Sequence, residues 1–305
     1  MATSRRLPNE LVIVWLLFGL GTLAILVTYA RLRPEELYHV SGTGLAAGLS
    51  RALVYVNFPV GIAALAALVI LFDRLPSRPL RILTVVAAAL SAVVFWPGVV
   101  DQKDLDAKWV NALPAFGVGL AALLTIHAIR YRALPPFAAS REGDRLRIVA
   151  ATVVTLLALP WIAAELGFYL DGVPGLGSIF LTGDIRLAPG QTEIEAAVHH
   201  GDHHGLQGTL LVLTAVLLSR ALDTLRPRAQ TVLRALLALM FVYGFWNVAN
   251  DDWLEQVVKR GWTNWRVPDV LRPTASVKWG ILLVLAAALG GMLERHERIR
   301  RRAVA

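Results

Sequence analysis

The chain has 305 residues, 56% hydrophobic and only 17% charged, with a formal charge of +8 and no cysteine. A soluble domain is nearer one quarter charged, so an ordinary soluble fold is excluded; the lack of cysteine excludes disulfides, thiolate metal sites and cysteine nucleophiles. In a soluble protein the positive excess would point to nucleic acid, but membrane topology absorbs it here, and no nucleic-acid partner is expected.

Several apolar runs reach about 20 residues, the length that crosses ~30 Å of hydrocarbon as a helix. The first follows "MATSRRLPNE" and runs from Leu11 to about Ala30. It is longer than the roughly 7–15-residue apolar core of a cleaved signal peptide, so it reads as a retained span. In chain order the expected helices cover roughly 10–30, 52–72, 80–100, 111–130, 147–170, 206–222, 230–249 and 276–293. Proline and glycine punctuate the joints "DRLPSRPLR", "RYRALPPFAASREGDRLR" and "LDTLRPRAQ". The expected fold is an all-α membrane protein, a polytopic bundle of about eight transmembrane helices forming one integral domain over 1–305.

Arginine and lysine bias gives the orientation, because cytoplasmic loops retain positive charge. The N-terminus, those three joints with Arg220 and Arg234 flanking the last of them, and the tail "ERHERIRRR" hold 19 of the 30 basic and 7 of the 22 acidic residues, a balance of +12. The other side holds 11 basic and 15 acidic residues, a balance of −4. Both termini are therefore expected in the cytoplasm, with the chain multi-pass in the cell membrane and in contact with membrane lipid. Nothing in the sequence sets an oligomeric state.

The outer segments are 31–51, 101–110, 171–205 and 250–275. Loops beyond about 12–15 residues are usually functional or disordered, and the aromatic residues here argue against disorder. Trp253, Trp262 and Trp265 fit side chains lying at the membrane interface. The longest segment ends in "VHHGDHHGLQG", four of the chain's seven histidines within six positions. Upstream, "TEIE" matches a capping box with Thr192 as N-cap and Glu195 at N3. A helix begun there would carry His199, His200, His203 and His204 on less than half its circumference, the pairs 199/203 and 200/204 being i,i+4 neighbours. Gly201 and Gly205 favour instead a loop that wraps its histidines round a ligand, each glycine costing a helix about 1 kcal/mol relative to alanine.

Either geometry points to a divalent transition metal held by His199, His200, His203 and His204, zinc first and iron or copper next, since imidazole suits all three. The bland reading is a solvated polar helix entry, and a proton relay or pH sensor is a third possibility. One helix face seldom completes a coordination sphere, so further ligands are expected among His39, Glu165, Asp171, Asp202, Asp251 and Asp252. Glu165, in "WIAAELGFYL", and Asp251, in "NDDWLEQ", are the candidate catalytic bases. An ionisable residue such as Glu165 within a span is a functional candidate by default, set against simple snorkelling to the outer headgroups. Asn57 and Asn247 are buried polar candidates whose usual role is to bond neighbouring helices. His127, near the inner end of its span, reads as interfacial.

The letters H-x-x-H-H at His200, His203 and His204 resemble one histidine box of the membrane fatty-acid desaturases and hydroxylases. That family holds two irons with several boxes on the cytoplasmic side, and the resemblance covers about five residues here, on the outer side. "NDDWLEQ" similarly resembles the aspartate-rich motif of membrane prenyltransferases, without that motif's later aspartate. Neither carries a family assignment.

Three functions compete. A metal-dependent membrane enzyme would act on a lipid-like or small-molecule substrate. A transporter or metal-handling protein would capture an ion at the histidines, and would want polar residues at midplane in broken helices; Asn57-Phe58-Pro59 is the best such break. A scaffold or assembly subunit would have no chemistry of its own. The sequence leaves catalysis open.

Overall fold

The computed structural model describes residues 9–37, 40–96, 99, 105–131, 143–170, 172–175, 185–186 and 195–304. The described residues are helical apart from turns, connecting loops and two-residue strands. The main helices are α1 (Asn9–Arg31), α2 (Gly44–Tyr55), α3 (Gly61–Arg74), α4 (Arg78–Ala92), α5 (Ala112–Tyr131), α6 (Asp144–Leu157), α7 (Leu159–Glu165), α8 (His204–Ser219), α9 (Pro227–Trp253) and α10 (Val277–Val304). Among the described residues, six helices are long and apolar enough to cross a membrane, or seven if the bent pair α6–α7 counts as one span. That content marks a polytopic membrane protein.

Local chemistry explains the breaks. Between α2 and α3 lies a π-helical turn, Val56–Val60, containing Pro59. Proline has no N–H to give, and the wider turn absorbs the loss without ending the helix, so Gly44–Arg74 is one 31-residue element. Pro160 sits in the first turn of α7, and the α6–α7 pair bends by 56° just before it. The expected straight span over 147–170 is thus a broken one. It stops after Glu165 in a Schellman motif: Gly167 at φ +75° donates to Ala164 O, and Phe168 N–H to Ala163 O.

Ion pairs tie the bundle at one end. Arg220, after α8, meets Glu10 at 2.9 Å and Asp144 at 3.3 Å, and Arg226 meets Asp73 at 2.6 Å. The start of α1, the end of α3, the start of α6 and the end of α8 therefore share that end. Arg234 of α9 meets Glu294 of α10 at 3.9 Å, which brings the last helix to the same end. At 16 residues α8 is about 24 Å long at 1.5 Å per residue, short for a span, yet it runs the height of the bundle with most of its side chains buried.

The α8–α9 contact is the most extensive in the bundle, and glycine makes it so. A Cβ on Gly208 would stand 2.4 Å from Gly244 O, and one on Gly244 2.5 Å from Gly208 O. Small residues at such crossings let membrane helices approach backbone to backbone. Outside this core, α1, α4, α5 and α10 present exposed leucine, isoleucine, valine and phenylalanine, as lipid-facing helices would.

Two expected boundaries move. Residues 250–258, expected in an outer loop, continue α9 through a π-helical turn at Leu254–Val258. No glycine or proline interrupts the chain until Gly261, at φ +79°. The expected helix from 192 through the histidines does not form. Thr192 lies outside the described residues, Glu195 pairs with Arg186 in a two-residue antiparallel ladder, and α8 begins only at His204.

Candidate metal centre

Gly201 decides the shape of the histidine loop. Its φ of +96° is one a side chain rarely adopts, and a Cβ there would lie 2.3 Å from Tyr29 Oη. The loop is pinned on both flanks: Gly201 N–H donates to Ala164 O at 2.8 Å, and Asp202 N–H to Tyr29 Oη at 3.0 Å. His203 follows with extended backbone as the N-cap of α8. Gly205 lets α8 start against Trp161, whose ring a Cβ would meet at 2.1 Å. The histidines thus wrap inward from a loop and share no helix face.

Among the described residues one group could hold a metal: His203, Asp251 and Glu255, all buried, each offering a ligand atom within 4.8 Å of the others. His203 Nδ1 lies 3.0 Å from Glu255 Oε1 and 3.9 Å from Asp251 Oδ2. Ligand atoms on a tetrahedral zinc with bonds of 2.0–2.2 Å stand about 3.3 Å apart, so small side-chain movements suffice. The surroundings also fit. Ligating histidines usually donate their other nitrogen to a carbonyl or carboxylate, and His203 Nε2 lies 2.8 Å from His199 O. Trp161 Nε1 donates to Glu255 Oε2 at 2.6 Å, and Gly205 N–H to Asp251 Oδ2 at 2.7 Å. Three protein ligands of mixed nitrogen and oxygen suit zinc, manganese or ferrous iron; no sulfur favours copper(I).

Of the expected ligands, then, the geometry brings His203 and Asp251 together and adds Glu255. His199, His200 and His204 stand outside the triad. The His199 ring stacks on His203 with centroids 4.1 Å apart, and its Nδ1 lies 2.9 Å from His200 O. His200 stacks on Tyr169 at 4.1 Å, and its backbone bridges to Leu37. Asp202 pairs with the buried Arg51 and accepts from Gln207. Glu165 is buried beside Asp202 and Arg51, and neither of its carboxylate oxygens has a hydrogen-bond partner. Asp252 is partly exposed and takes no part in the triad, and His39 and Asp171 lie outside the described residues.

Glu255 is the candidate ligand that sequence reasoning missed. Its signal was present, since Asp251, Glu255 and Lys259 recur every four residues, the spacing of one helix face. Reading the helix as ended at 249 hid it.

Electrostatics separate the histidines. Burial disfavours a proton on His203, but the charge and hydrogen bond of Glu255, then Asp251, overcome it and push that ring up to about 9. Burial, then the nearby charges of His203 and Lys259, hold His199 well below the usual histidine range. His200 is lowered, chiefly by burial. Burial raises the Asp202 carboxyl despite the Arg51 guanidinium against it.

The triad opens on a cavity of about 360 Å³, a size typical of small-molecule sites. Arg51, Asp202, His204, Lys259 and Arg266 also line it. One wall is an extended strap. Four side chains along one stripe of α9 hold its carbonyls: Tyr243 on Leu271, Trp246 on Pro268, Asn250 on Val267 and Trp253 on Trp265.

Fold and site together define a polytopic helical membrane protein with a buried His–Asp–Glu triad at one end of its bundle. Compared with known protein families, curated proteins and solved structures, the chain matches none.

Proposed function

We propose that the chain is a multi-pass cell-membrane protein with eight spans and both termini in the cytoplasm, whose outer end holds a divalent metal and hydrolyses a lipid-like substrate. The end-to-end path of the short, buried α8 supports the eighth crossing, and the basic excess on the other side supports the orientation. One observation carries the catalytic reading: three buried ligands, each held by an outer hydrogen bond, face a cavity instead of closing around the ion. Catalytic zinc sites have that form, with three protein ligands and an open position. Such an ion, when bound, brings water near neutral pKa. His204 lines the same cavity with an unpartnered Nδ1 that can accept a hydrogen bond from bound water or substrate; Glu165 is not among the lining residues and lies buried near the Arg51–Asp202 pair.

A second reading, metal transport, rests on Asn57, fully buried in the π-helical turn with no partner for either amide atom. Metal flux in proteoliposomes distinguishes the two.

Elemental analysis of protein purified without a histidine tag tests the metal directly. The expected result is about one zinc, manganese or iron per chain. No stoichiometric metal, together with no thermal stabilisation by added metal, overturns the reading.

A further inference from the structure

Next to the triad lies a second buried cluster of ionisable side chains, which the metal reading does not use. Hydrogen bonds to the backbone assemble it. Thr28 Oγ1 donates to Glu165 O, Gly201 N–H to Ala164 O at 2.8 Å, and Asp202 N–H to Tyr29 Oη at 3.0 Å. The end of α7, the histidine loop and α1 therefore meet at one place. α2 closes it: Arg51 pairs with Asp202 and stands over the Tyr29 ring, 5.7 Å from its centroid. Tyr55 follows Arg51 at i+4 on the same face of α2. Its hydroxyl lies against α1, where a Cβ on Gly21 would stand 2.5 Å from it, and it is close enough to feel the Glu165 charge. Tyr29, Arg51, Tyr55, Glu165 and Asp202 are all buried.

The charges of this cluster do not balance if every acid is ionised. Two carboxylates share one guanidinium, and Arg51 places it on Asp202, which also accepts from Gln207 of α8. Arg31 is exposed and donates to the carbonyls of Leu166 and Gly167, and the His203 ring faces Glu255. Both Glu165 oxygens are left without a hydrogen bond, as are Asp202 Oδ1, Tyr55 Oη and Arg51 Nε. Since Arg51 Nε and the Glu165 oxygens each lack a partner, that donor does not reach that acceptor. An ionised carboxylate persists in a bundle interior only when paired and hydrogen-bonded; otherwise it becomes neutral. Protonation supplies what the cluster lacks, an O–H donor matched to the bare Asp202 oxygen and a neutral C=O matched to the Tyr55 hydroxyl. A sodium ion fits less well, because the Arg51 charge in the same cluster repels it.

From this geometry we infer that Glu165 is a proton-binding site within the bundle, holding one exchangeable proton as the carboxylic acid at neutral pH. The proton comes from water and returns to it; Asp202 lines the cavity, which gives the cluster its aqueous side. With the proton bound, Arg51 stays on Asp202 and the loop carrying His203 stays pinned. With the proton lost, two carboxylates compete for one guanidinium. The inference goes beyond the metal reading and needs neither ion nor substrate.

Infrared spectroscopy of the full-length protein in lipid nanodiscs at neutral pH is the test, with and without isotope-labelled glutamate. Wild type is expected to show a carboxylic-acid C=O band that moves to lower frequency with the glutamate label and shifts on exchange into D2O. Glu165→Gln, equal in size and neutral, is expected to lose that band and to melt no lower than wild type. Should that variant not fold, Glu165→Asp with labelled glutamate takes its place, and the acid band must then lose its label shift. No glutamate-derived acid band in wild type overturns the inference. So does a band that survives in folded Glu165→Gln, or one that keeps its label shift in Glu165→Asp, since it belongs to another glutamate. Loss of the wild-type band when sodium chloride replaces choline chloride at constant pH would give the site to sodium and overturn the proton. None of these outcomes bears on the metal content, which elemental analysis reads separately.

Discussion

Nδ1 of His203 lies 3.0 Å from Oε1 of Glu255, while Nε2 of the same ring lies 2.8 Å from the carbonyl oxygen of His199. Both nitrogens thus face acceptors. In the metal-free chain the ring satisfies both only as an imidazolium; with metal on Nδ1, the Nε2–H bond to His199 remains as the outer support.

The backbone of His199, not its ring, should therefore matter. His203→Ala or Glu255→Gln should abolish stoichiometric metal, whereas His199→Ala and His200→Ala should retain it. Trp161→Phe keeps the aromatic packing but removes the donor to Glu255, and should weaken metal affinity about 10–100-fold, the usual cost of losing an outer-shell bond. Titration with a fluorescent zinc indicator measures each. Loss of metal in His199→Ala with His203 intact would contradict the assignment.

Protons compete with metal for His203, whose proton is held up to about 9. Metal affinity should accordingly rise about tenfold per pH unit from 7 to 9 and level off above. Sequence alone would put that threshold near 6.5, the unperturbed histidine value. The metal-free protein should respond in the opposite sense. A folded-state pKa above the unfolded one makes the His203–Glu255 pair stabilising in full below about pH 6.5, and that contribution is lost as pH rises through about 9. Isothermal titration and thermal melts across that range check both signs.

Gly208→Val places new carbons against Gly244 O, 2.4 Å from where its Cβ must go. The α8–α9 crossing cannot widen without moving the triad, because its ligands sit at the joined ends of these two helices. A loss of about 1–3 kcal/mol is expected, together with weakened metal binding. Gly119→Ala, on α5 with nothing within 4 Å of the added carbon, is the control and should melt as wild type.

Reporter fusions after residues 75, 140, 225 and 305 should read cytoplasmic, and fusions near 190 and 260 external. A cytoplasmic reading at 190 would move the triad to the opposite leaflet and overturn the proposed orientation.

Composition and hydropathy alone determined that this chain lives in a membrane as apolar helices, because a polar backbone can cross hydrocarbon only with its hydrogen bonds satisfied within each segment. The positions of α1, α4 and α5 followed from run length, and the importance of the "VHHGDHHG" loop from its rarity. Tertiary structure decided the rest. Which histidine meets which carboxylate depends on the left-handed turn at Gly201, the packing of Gly205 on Trp161 and the glycine crossing of α8 on α9. Those contacts join residues about 50 apart in sequence, such as His203 and Glu255, and no local periodicity encodes them. Glu255 was legible only as a helix repeat from Asp251. Its place in the triad appeared once the fold turned that repeat toward His203 and away from lipid.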